Sequence, residues 1–121
     1  MALADTLRTI LTDLRSALPE TEGSIIASTD GLPIAHALPS EKDAEKLAAM
    51  VATGIGLGRR IAMTFDCGNF SETVVAGTSG SVYLYAAGDK AVLAVNSRKG
   101  ANVGLINIEA RDAAKKVAEL L

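Results

Sequence analysis

The sequence predicts an α+β sandwich: an antiparallel five-stranded sheet with helices on its faces, in the order α-β-β-α-β-β-β-α. Two observations predict the element types. Long segments repeat apolar residues at steps of three and four, the helical period, while shorter segments alternate or run apolar between turn residues. A third observation predicts the sheet: its strands are joined by turns too short for anything but antiparallel neighbours.

The first helix carries Leu3, Leu7, Ile10, Leu11, Leu14 and Leu18 on one stripe, and Pro19 ends it. Gly23 to Thr29 reads as a strand, and Asp30-Gly31 is a tight-turn dipeptide that folds it back onto Leu32 to Leu38. Pro33 lies near the start of that second strand, where a missing N–H is tolerated. Pro39-Ser40 ends it, and Ser40 with Asp43 three residues on has nearly the spacing of a capping box. A second helix is expected from about Glu41 to Met63, followed by a loop at Phe65-Asp-Cys-Gly-Asn69. Phe70 to Ala76 is a third strand, turned by Gly77-Thr-Ser-Gly80. Ser81 to Ala87 alternates Ser81, Tyr83 and Tyr85 with Val82, Leu84 and Ala86, the pattern of a half-buried strand. After Gly88-Asp89-Lys90, the unbroken apolar run Ala91 to Val95 suits the centre of the sheet. The last helix starts near Val103, with Asn102 as its cap and Ile106, Ala110, Ala113, Val117 and Leu120 as its packing set.

The second helix is the informative element. Ala44, Leu47, Ala48, Val51, Ile55 and Ala62 form one stripe for the sheet. Met50, Leu57 and Ile61 form a second, with Thr53 beside it and Gly54 and Gly58 between the two. No charge occurs from Leu47 to Leu57, whereas a monomer's surface helix needs a polar face. The other helices have single stripes of their own, so a second chain is the better cover. Met50, Thr53, Gly54, Leu57, Gly58 and Ile61 are therefore the expected dimer contacts, with the glycines admitting a close helix.

Composition narrows the function classes. At 121 residues the chain is sized for one domain, residues 1–121, with a core that needs no staples. A net charge of −2 gives no electrostatic footprint for nucleic acid. The single cysteine, Cys67, excludes an intrachain disulfide. No apolar run approaches the ~18 residues of a membrane span, and the N-terminus lacks the pattern of a signal peptide. A cytoplasmic protein without direct membrane insertion is expected. Only 3% of residues are aromatic, so stacking anchors for a base or flat cofactor are scarce. Gly54-Ile-Gly-Leu-Gly58 lies inside a helix and lacks the third glycine of a dinucleotide loop. His36 has no second histidine to join it, Cys67 has no basic neighbour in sequence, and no carboxylate pair has acid–base spacing. No cofactor, metal or catalytic group is expected.

Asp30-Gly-Leu-Pro-Ile-Ala35 and Leu38-Pro-Ser-Glu-Lys-Asp-Ala-Glu45 resemble the signature of the roadblock/LC7 family. There a D-G-x-P-I-A hairpin leads through an L-P-x-x-x-D-A-E turn into a central helix. Asn102-Val-Gly104 is similar to the family's N-x-G approach to the last helix. The resemblance implies a profilin-like sandwich and a homodimer in which central helices lie antiparallel across a two-fold axis and third strands pair. It further implies a non-enzymatic, prokaryotic-type module that binds, regulates or scaffolds a small Ras-like GTPase; eukaryotic relatives serve as dynein light chains or scaffold subunits. Arg59 and Arg60, at the far end of the uncharged stretch, are the expected contacts to that partner. The alternatives are a small-molecule sensor of profilin- or PAS-like fold and a purely structural homo-oligomer.

Overall fold

The computed structural model describes residues 2–40 and 42–121. Its elements are α1 (Leu3–Ala17), β1 (Thr21–Ser28), β2 (Pro33–Ala37), α2 (Ala44–Thr64), β3 (Glu72–Ala76), β4 (Gly80–Ala87), β5 (Ala91–Arg98) and α3 (Val103–Leu120). The strands form one sheet in the order β2-β1-β5-β4-β3, and every neighbouring pair is antiparallel. The fold is the expected sandwich. None of its helices is long and apolar enough to cross a membrane, among the described residues.

Strand alternation divides the core in two. Ile26, Tyr83, Tyr85, Leu93 and Val95 face α1 and α3, packing on Leu7, Leu11, Leu14, Ile106, Ala110 and Val117. Ile25, Ala27, Leu84, Val92 and Ala94 face the other way, onto Ala48, Val51 and Ile55 of α2. The run Ala91–Val95 is apolar throughout because β5 is the central strand, covered on both faces. The strand continues to Arg98, three residues past its apolar part, because Asn96 and Ser97 still pair with β1 and β4. The half-buried reading of β4 is corrected by the same packing. Tyr83 and Tyr85 face α1 and α3, not solvent, and are 8% and 2% exposed.

Local signals set the boundaries. The hairpin after β1 closes with Ser28 N–H donating to Leu32 O at 2.8 Å and Gly31 N–H to Ser28 O at 3.0 Å. Gly31 sits at φ +94°, which only glycine adopts freely. Asp43, not Ser40, caps α2: its Oδ1 accepts from Lys46 N–H at 3.2 Å, and the helix begins at Ala44. The start expected at Glu41 lies outside the described residues. Asn102 caps α3 as expected, accepting from Leu105 N–H at 3.0 Å.

Candidate interaction surface

Helix α2 crosses one face of the sheet and buries Ala48, Val51, Ala52 and Ile55. Its second stripe stays outside. Met50, Leu57 and Ile61 are exposed, as are Met63 and Phe65 at the C-terminal end. Beside α2 lies β3, an edge strand whose outer N–H and C=O groups have no ladder partner. It has none of the usual guards of an edge: no proline, no lysine, and a single charge, Glu72. Val75, on the α2 side of β3, adds to the exposed set, whereas Val74, opposite Tyr83, lies on the α3 side; these side chains are between 49% and 74% exposed. The exposed apolar helix face and the unguarded strand edge lie on neighbouring elements, and an exposed apolar patch of this kind makes them a candidate interaction surface.

Of the glycines of α2, only Gly58 is required by packing within the chain. A Cβ on Gly54 would stand 3.4 Å from Leu84 Cδ2. One on Gly58 would meet the Phe70 ring at 2.5 Å, so Phe70 occupies the space that this glycine leaves. Gly56 faces open space. Gly58 thus has a packing reason within its own chain, one that depends on Phe70 and is invisible on a helical wheel. Thr53 is exposed, and its hydroxyl donates to Ala49 O at 2.8 Å.

The two arginines differ. Arg59 Nη2 donates to Gly88 O at 3.2 Å, tying α2 to the β4–β5 turn. Arg60 is exposed and forms no ion pair among the described residues. Neither stands in the last turn, so the carbonyls at the end of α2 are satisfied otherwise. Asp66 N–H donates to Met63 O and Cys67 N–H to Ala62 O, the two bonds of a Schellman cap. Asp66 takes the left-handed position, at φ +58°, that glycine usually fills. This cap directs Phe65 outward at the helix end.

The opposite face holds a polar cluster that the sequence did not reveal. Arg111 of α3 donates Nε to Glu72 Oε1 and Nη2 to Glu72 Oε2, both at 2.8 Å. Tyr85 donates its hydroxyl to Asn107 Oδ1 at 2.7 Å. Burial and, second, the Glu72 charge push the Tyr85 phenol up to about 12, so it remains a donor. Glu72, Tyr85 and Arg111 border an open recess of about 450 Å³ between α3 and the β3–β4 edge. The Glu72–Arg111 pair holds α3 to the edge strand.

The Glu72–Arg111 pair yields a pH prediction. The hydrogen bond from Arg111 holds the Glu72 carboxyl below its ordinary value, with burial opposing. A carboxyl whose folded pKa is depressed contributes stability that is complete above the unfolded value of about 4.3. That contribution is lost as pH falls through the folded value. Glu72→Gln is expected to be less stable than wild type in urea melts at pH 7, with the gap closing below about pH 4. A gap independent of pH would show that the pair contributes no linkage.

His36 and Cys67 are exposed and lie far apart in the fold, on β2 and after α2. No group of three or more His, Cys, Asp or Glu is placed to hold a metal among the described residues.

Comparison with known proteins agrees with this architecture. The family described as Roadblock/LC7 domain matches residues 8–97. The uncharacterized protein MJ1340 of Methanocaldococcus jannaschii is 33% identical over 96 residues, 79% of this chain and 83% of that protein. Among solved structures, a Roadblock/LC7 domain from Streptomyces avermitilis superposes with TM-score 0.86 at 25% identity, covering 93% of this chain and 94% of the other. The gliding protein MglB from Thermus thermophilus superposes with TM-score 0.89 at 19% identity, covering 99% and 91%.

Proposed function

Because this chain belongs to the Roadblock/LC7 domain family, we propose that it is a non-enzymatic, homodimeric module that binds a small Ras-like GTPase and regulates or scaffolds it. The observation that carries the proposal is the exposed apolar stripe of α2 on the same molecule as the open edge of β3. A two-fold axis beside β3 lets the edge pair with its own copy and brings the two α2 helices together, since a two-fold interface apposes the same patch on both subunits. The interface would contain Met50, Thr53, Gly54, Leu57, Gly58 and Ile61, extended by Val74 and Val75. It removes an apolar patch and an open edge at once.

The likeness to the gliding protein MglB is in fold; the GTPase as partner class is proposed from family membership. A module of this kind needs no catalytic cluster to influence hydrolysis. GTPase switch segments are bistable, and a partner that binds one arrangement better shifts the population.

The test is calorimetric titration with a Ras-like GTPase encoded in the same genome, in its GDP and GTP-analogue forms. Saturable binding to the dimer, stronger for one nucleotide state, is expected. Absence of binding in both states would contradict the partner assignment. Stopped-flow association with Arg60→Glu refines it. A charge at an interface rim acts mainly on association rate and its salt dependence. The variant should associate several-fold more slowly at low salt, with the difference fading at high salt. Arg59→Glu should differ by also releasing the tie to Gly88, which thermal melting would register. An unchanged rate for Arg60→Glu would leave that arginine a solvated surface residue.

A further inference from the structure

On the homodimer reading, we propose that the Phe65 side chain of each subunit seats in an apolar cleft of the other. The cleft, about 220 Å³, lies on the α2 face of the sheet. Its apolar lining comes from Ile25, Leu38, Leu47, Val51, Val82 and Ala94. One helix cannot cover five strands, so this corner of the sheet lies open beside the N-terminal half of α2.

Three features point to a second copy of Phe65 as the occupant. The first is direction. On a wheel of about 100° per residue, Leu47, Met50, Gly54, Leu57, Ile61 and Phe65 fall within roughly 80° of one another. Phe65 thus continues the exposed seam, and its backbone at φ −92° and ψ 10° stays close enough to helical for the wheel to hold. Leu47 belongs both to that seam and to the cleft wall, so seam and cleft are continuous.

The second is register. Two copies of one helix packed across a perpendicular two-fold axis run antiparallel. Steps of three and four residues along Leu47, Met50, Gly54, Leu57 and Ile61 are those of a two-helix seam. Centring the axis between Gly54 and Leu57 sets Met50 against Ile61 of the other copy and Gly54 against its Leu57. The same operation sets Phe65 beside Lys46 and Leu47 of the other copy, at the mouth of the cleft.

The third is chemistry. Phe65 is 74% exposed, the highest value among the large apolar side chains of the described residues. An aromatic anchor in a pocket supplies far more binding energy than the same ring on a rim.

Two measurements test the proposal, and neither concerns the GTPase. Phe65→Ala should raise the dimer dissociation constant at least about tenfold in sedimentation equilibrium, with the far-ultraviolet spectrum of the monomer unchanged. The second is cross-linking in a Cys67→Ala background, with copper–phenanthroline as oxidant. Residues 47 and 65 are ~27 Å apart along one helix, far beyond disulfide reach, so a bond between them forms only between subunits. Phe65→Cys combined with Leu47→Cys should give a covalent dimer, and each single cysteine should give little. A dimer whose affinity ignores Phe65→Ala, or that cross-links as readily through Phe65→Cys alone, overturns the seating of Phe65 and leaves the homodimer standing. A wild-type monomer overturns the homodimer and this proposal with it.

Discussion

Replacing Leu57 with aspartate is expected to convert the protein into a folded monomer. Leu57 is 58% exposed on the outer stripe of α2, so the sheet and both cores do not depend on it. In a two-fold dimer the substitution introduces two carboxylates near the axis, each desolvated and each close to the other. Like charges brought together at an interface cost several kcal/mol, which weakens association by roughly 100-fold or more. Sedimentation should show the monomer at concentrations where the wild type is dimeric. Circular dichroism should show the helix and strand content of the wild type. A variant that stays dimeric would place the interface elsewhere, and one that unfolds would mean that Leu57 supports the fold itself.

Leu93→Ala is expected to have the largest effect on stability. Leu93 is fully buried on β5, the central strand, where it packs in the core with side chains of α1 and α3. Truncating a leucine at such a site costs ~2–5 kcal/mol, from lost burial and from the cavity left behind. Domains of this size have only about 5–15 kcal/mol in total. Thermal melting at fixed protein concentration should show a fall of about 10 °C or more. Concentration must be held because the proposed dimerisation would stabilise the folded chain by mass action. A fall of only a degree or two would show that the two faces of the sheet collapse around the missing side chain.

The contrast between these variants follows the part of the structure that local sequence encodes. The stripe Leu7, Leu11 and Leu14, the turn at Asp30-Gly31, the Asn102 cap and the run Ala91–Val95 each contain their signal within one element, and each is where the sequence puts it. The excess apolar surface of α2 was also legible, because a helix without a polar face is visible on a wheel. Features that depend on distant residues were not. Asp43 displaces Ser40 as the cap, although either side chain could cap a helix beginning nearby. Tyr83 and Tyr85 read as the wet side of β4 until α3 is known to cover them. Glu72 and Arg111 meet across 39 residues. Phe70 packs against Gly58, a contact that no helical wheel displays. Phe65 lay in a segment without periodicity, yet the cap formed by Met63 and Asp66 carries the seam as far as that ring.

The central claim is that the surface of α2 and β3 is an interface between two copies of this chain. Sedimentation equilibrium of the unmodified protein at tens of micromolar tests it most directly, a range that populates a dimer of micromolar or tighter affinity. A species of twice the 12.4 kDa chain mass is expected. A single species of 12.4 kDa at that concentration would contradict it.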